Sequence, residues 1–276
     1  MDWTALPIEE IAAFAAGVAV AGVISGLLAG IFGIGGGAIL VPVFYQVLGL
    51  LGVDESVRMH LAVGSSLAII IPTSLRSFQA HHARGVVDMD LLKSFLIPVP
   101  LGVVLASLVA ALISSEGLRG VFAAIALVVG LRLVFNREHW RIGTDIPGFP
   151  VRPVIGLLIG FFSTLMGIGG GVLNNTFMAL FGRPMHQAVA TSSGVGVLIA
   201  IPGTIGYILA GWGHPDLPIA STGYVNWIAV ALIIPIAIVV TPWGVRISHA
   251  LKKRQLEIGF GLFCLFVSGR FALSLL

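Results

Sequence analysis

The sequence predicts an all-α polytopic membrane protein made of two inverted repeats of five hydrophobic segments each. Three observations predict it. Of 276 residues, 57% are hydrophobic and 10% charged, whereas a soluble domain carries about 25% charged residues; the mean hydropathy is +1.05. No charged side chain interrupts the runs from Ile11 to Val53, Ser94 to Ser115, Pro153 to Gly182 or Leu217 to Gly244, and a crossing helix needs about 20 apolar residues. Finally, Gly33-Ile34-Gly35-Gly36-Gly37 returns word for word as Gly167-Ile168-Gly169-Gly170-Gly171, the mark of an internal duplication.

The rest of the chain repeats in the same order. His60-Leu-Ala-Val-Gly-Ser-Ser66 matches His186-Gln-Ala-Val-Ala-Thr-Ser192, and Ile71-Pro72-Thr73 matches Ile201-Pro202-Gly203. Gly85-Val-Val-Asp88 parallels Gly223-Tyr-Val-Asn226, and Arg132 parallels Arg270. The repeats are read as residues 1–138 and 139–276. In the first, the segments are 8–32, 38–51, 60–79, 91–113 and 118–135; in the second, 152–167, 172–182, 187–211, 224–246 and 256–275. Segments 38–51 and 172–182 would reach about 21 and 17 Å as helices, short of the roughly 30 Å hydrocarbon core, so broken or re-entrant helices are expected there. Pro42, Pro72 and Pro202 are expected to kink their helices.

Loop charges set the orientation. The clusters Arg76/Arg84/Lys93, Arg137/Arg141/Arg152 and Arg246/Lys252/Lys253/Arg254 belong on the cytoplasmic side. All three fall there if the acidic N-terminus is outside and each segment crosses. Five crossings per repeat then invert the second repeat relative to the first and place the C-terminus outside as well. Inverted repeats are a transporter architecture, with the substrate held near the midplane beside discontinuous helices.

The paired motifs resemble the TauE/SafE family of bacterial membrane transporters: Gly-x-Gly-Gly-Gly leading into an apolar run with Pro42, then Ala-Val-x-Thr/Ser-Ser, then Gly-x-Val-Asp, all given twice. The resemblance covers nearly all of the chain. It implies the bacterial inner membrane and export of sulfite or organosulfonates such as sulfoacetate. The second copy departs from the first, with Asn174-Asn175-Thr176 where the first has Leu40-Val41-Pro42.

Residue chemistry points to an anion. Gly35, Gly36, Gly37 and Gly169, Gly170, Gly171 are candidates to present backbone N–H groups at the starts of short helices, where the dipole favours negative charge; close helix packing is the alternative. Asn174 and Asn175 bring amide donors suited to sulfonate oxygens into an apolar run. Ser65, Ser66, Thr191 and Ser192 are candidate substrate hydroxyls, against the alternative of bonding a carbonyl or bridging helices. His60, His186 and Asp88 are the groups available for proton coupling, since every carboxylate lies in a loop or at a segment end. Arg76, Arg132 and Arg270 are either snorkelling side chains or charges that draw anions into a vestibule.

Other classes fit less well. The Ser192/His186 and Ser66/His60 pairs are six residues apart, about 240° around a helix, which does not set a nucleophile beside a base. His81-His82 has no further ligands around it, so no metal or other cofactor is expected. No Walker-type motif supports an ATP-driven pump; a passive anion channel stays open as an alternative. The expected partners are a small anionic substrate and the lipid bilayer, with room for a homo-oligomer. Nucleic acid is excluded because the basic residues sit in short loops between spans.

Overall fold

The computed structural model describes residues 8–32, 37–135, 142–249 and 253–275. These form helices α1 (Ile8–Phe32), α2 (Gly37–Leu50), α3 (Glu55–Ala83), α4 (Met89–Ser94), α5 (Pro98–Leu112), α6 (Ser115–Phe135), α7 (Val151–Leu165), α8 (Gly171–Leu180) and α9 (Met185–Ala210). A hairpin of β1 (Ser221–Thr222) and β2 (Val225–Asn226) leads into α10 (Trp227–His249) and α11 (Lys253–Leu273). Among the described residues, five stretches are long and apolar enough to cross a membrane: Glu55–Ala83, Ser115–Phe135, Met185–Ala210, Trp227–Gly244 and Arg254–Leu273. The all-α polytopic class follows. The short segments expected after the glycine runs are α2, of 14 residues, and α8, of 10.

One element departs from the sequence reading. The predicted segment 91–113 is two helices, because Pro98 opens α5 at its first turn, where its missing N–H is tolerated but cannot continue the helix before it. Its counterpart, predicted from 224, is preceded instead by the hairpin, in which Ser221 pairs with Asn226 and Thr222 with Val225.

The helices pack as α1 on α10, α5 on α7 and α6 on α11, with α3 against α9. Residues 61–70 of α3 are all buried, whereas Leu108, Leu112, Val128, Leu209, Val239 and Phe266 are exposed around the outside, as expected where hydrocarbon replaces water. Small residues permit the close crossings. A methyl on Gly22 would lie 3.2 Å from Ile236 Cγ2, and one on Gly26 3.2 Å from Ala237 Cα, both in α10. In the α5–α7 pair, Gly156 faces Phe95 and Pro98, and a methyl on Gly160 would fall on the Val99 carbonyl. Between α6 and α11, Ser268 Oγ donates to the Ala123 carbonyl at 2.8 Å.

A knot around a buried arginine ties four helices together. Arg119 of α6 is 2% exposed. It donates to Glu55 at the start of α3, to Tyr45 of α2, and at 3.3 Å to the Ser274 carbonyl beyond α11. A buried guanidinium is tolerated only with such partners.

Candidate functional site

A cavity of about 700 Å³ lies among α1, α2, α3, α8, α9 and α10. Its floor is where the two glycine motifs meet. Gly37, the first residue of α2, packs so closely on the second motif that a methyl there would sit 2.7 Å from the Gly167 carbonyl and 2.8 Å from Ile70. Gly169 and Gly171 line the cavity. Gly170 is buried between them as the N-cap of α8, in the left-handed region at φ 72°, with Ile199 and Val195 filling the place of a side chain. No side chain caps α8, so the N–H groups of its first turn have no partner within the helix, and its positive dipole end is turned to the cavity. Gly35 and Gly36 lie outside the described residues.

The asparagine pair is resolved into two roles by one hydroxyl. Asn174 is fully buried and donates from Nδ2 to Ser192 Oγ at 2.8 Å; Ser192 in turn donates to Asn175 Oδ1 at 2.7 Å. Asn175 and Ser192 both line the cavity, and Asn174 does not. With its carbonyl oxygen engaged by Ser192, Asn175 keeps two amide N–H donors for a ligand.

The remaining hydroxyls of the repeated motif hold backbone. Ser66 donates to the Gly167 carbonyl at 2.8 Å and so clamps the second glycine turn onto α3. Ser65 Oγ accepts the Asn226 N–H at 3.0 Å, and Thr191 Oγ1 accepts the Asp88 N–H at 3.0 Å. Asp88 and Asn226 are themselves helix caps: Asp88 Oδ1 accepts from Leu91 N, and Asn226 Oδ1 from Ala229 N. Each half therefore supplies a hydroxyl that receives the capping residue of the other.

The two histidines differ. His60 is buried in α3, with Nε2 2.9 Å from the Ala110 carbonyl and its ring stacked on Tyr224 at 4.6 Å. Its Nδ1 has no hydrogen-bond partner. His186, in the first turn of α9, is exposed. Neither lines the cavity.

Arg76 is exposed and lines the cavity, whose lining contains no carboxylate among the described residues. Arg132 is half-buried near the end of α6 and Arg270 exposed in the last turn of α11, both away from the cavity. The structure adds Thr73, Ser74 and Ser77 of α3, Ser193 of α9 and Thr241 of α10 to the lining. A signal for the α3 group was present in the sequence: Thr73, Ser77 and Ala80 recur at helical spacing around Arg76, on one face just after Pro72. Apolar side chains, among them Leu40, Ile69, Ile70, Ile233 and Ile234, make up the rest of the wall.

Apolar helices around a cavity with an uncapped short helix, amide donors and, among the described residues, one cation define a multi-pass membrane transporter. The chain belongs to the family described as "Sulfite exporter TauE/SafE", whose model matches residues 18–271. It is similar to a "Probable membrane transporter protein" of Haemophilus influenzae, with 32% identity over 248 residues, 90% of this chain and 94% of that one. A protein of the same description from Methanocaldococcus jannaschii is 28% identical over 241 residues, covering 87% and 88% of the two chains. The "Probable membrane transporter protein YunE" of Bacillus subtilis is 27% identical over 256 residues, covering 86% and 88%. No solved structure matches the chain.

Proposed function

We propose that the protein is a secondary transporter of the cytoplasmic membrane that exports a small sulfur-containing or organic anion, such as sulfite, sulfoacetate or a related sulfonate. It works by alternating access between two inverted repeats, 1–138 and 139–276, with both termini outside. The observation that carries the reading is the charge balance of the cavity, which offers Arg76, the Asn175 donors and the start of α8, and among the described residues no carboxylate. The family description supports an exported sulfur anion. The volume supports an organic member of that class, since cavities of about 300–1,000 Å³ bury molecules well beyond a four-atom anion, and the apolar wall has no use for bare sulfite.

The reciprocal contacts support the two-repeat reading. Gly22 and Gly26 meet α10 as Gly156 and Gly160 meet α5, and Asn226 is received by Ser65 as Asp88 is by Thr191. The cavity reaches Arg76 on the second half of α3 and Pro242 on α10, the ends that carry the basic clusters, which supports the reading of a cavity that faces the cytoplasm and loads substrate for export. An enzymatic role finds no support in Ser192, whose hydroxyl is committed to two asparagines.

The test is a thermal-shift screen of the purified chain with sulfite, sulfoacetate, thiosulfate and short carboxylates, since a ligand that binds only the folded state raises Tm. Sulfoacetate should stabilise it, and Asn175→Ala should weaken that binding about 10–100-fold, the worth of hydrogen bonds to a charged group. Equal binding by Asn175→Ala would remove the site. Flux that never runs uphill under an imposed ion gradient would make the protein a channel.

A further inference from the structure

Resting on the two-repeat reading above, we propose that the outward pathway opens along the seam between α5 and α9, the closed counterpart of the cavity between α3 and α10. The repeated motifs match Pro72 with Pro202 and Asp88 with Asn226. Extended along the helices, that match sets Thr73 on Gly203 and Thr241 on Val103. Elsewhere the contacts in the two halves follow the match: Gly22 and Gly26 on Ile236 and Ala237 answer Gly156 and Gly160 on Pro98 and Val99.

At this position the halves differ. Thr73 and Thr241 both line the cavity, whereas their counterparts touch: the place of a Gly203 side chain lies 3.6 Å from Val103 Cγ1. One turn further, Ser107 of α5 fills the space beside Gly206 of α9. α5 is packed along α9, while α10 meets α3 only lightly.

The seam is built to separate. The hydroxyl that fills it, Ser107 Oγ, is satisfied within its own helix by the Val103 carbonyl at 2.9 Å. Among the described residues no side-chain hydrogen bond or ion pair joins α5 to α9. Opening it breaks van der Waals contact alone, and it exposes the hydroxyl of Ser107 together with the bare backbone at Gly203 and Gly206. In a rocking carrier the two cavities exclude one another, so closure of the α3–α10 cavity and opening of the α5–α9 seam are one event.

The experiment uses the full chain with its single cysteine removed by Cys264→Ala, in sealed vesicles, and a membrane-impermeant maleimide added to either face. Thr73→Cys should label from one face. Ser107→Cys should label from the opposite face, and adding Thr73→Trp, whose indole props the cavity open, should slow the Ser107→Cys reaction about tenfold by shifting the two-state equilibrium. Val103→Cys serves as a second reporter if Ser107→Cys does not fold.

A folded chain in which neither reporter labels, or a rate that Thr73→Trp leaves unchanged, overturns the proposal. Because labelling needs no substrate, it separates the two readings. Coupled labelling with no flux of sulfite or sulfoacetate upholds the seam and defeats the substrate assignment. Flux without coupled labelling does the reverse.

Discussion

Ser192 accepts one hydrogen bond and donates another, and that direction decides which end of Asn175 is left for a ligand. Ser192→Ala leaves the buried Asn174 Nδ2 with only its 3.5 Å contact to Met178 Sδ, at about 1–3 kcal/mol for a buried group left underpaired, and releases Asn175 Oδ1 toward the cavity. The variant should melt several degrees lower in detergent and bind sulfoacetate more weakly, because the Asn175 amide is free to turn; an unchanged melting temperature would show that the relay carries no weight. The asparagines were legible in the sequence because amides in an apolar run must find partners. The roles of Ser65, Ser66 and Thr191 were not legible, since their partners, Asn226, Gly167 and Asp88, lie in the opposite half of the chain. The partners of Arg119 were not legible for the same reason: nothing local to it announces Glu55 or Tyr45.

At the scale of elements, lengths and breaks were mostly readable. The bounds of α1 agree with the predicted 8–32, and the short α2 and α8 follow from the glycine runs before them. The split of α4 from α5 was missed, although Pro98 was there to signal it. Reciprocal capping makes a comparative prediction. Ser65→Ala strands the N–H of Asn226, which is fully buried, whereas Thr191→Val strands that of Asp88, which is partly exposed and open to water as a substitute partner. Each lost acceptor costs about 1–3 kcal/mol if nothing replaces it, so Ser65→Ala should lower Tm the more. The reverse order would mean that Thr191, rather than Ser65, carries the structural weight.

At the scale of the whole molecule, the role proposed for Arg76 lies in the approach of the anion more than in its final contacts, since it is exposed. Arg76→Gln should slow anion flux at low ionic strength, and the deficit should fade near 1 M salt, where the Debye length is about 3 Å. A deficit that ignores salt would place Arg76 in direct contact with the bound anion. The partner exchange of the outer helices, α1 with α10 and α7 with α5, bears on how the chain is made. When α1 enters the membrane, α10 has not yet been synthesised, so the glycine face of α1 at Gly22 and Gly26 must wait in lipid while most of the chain is translated. Neither half can finish folding before the other arrives, and the protein matures as one late assembly rather than unit by unit from the N-terminus.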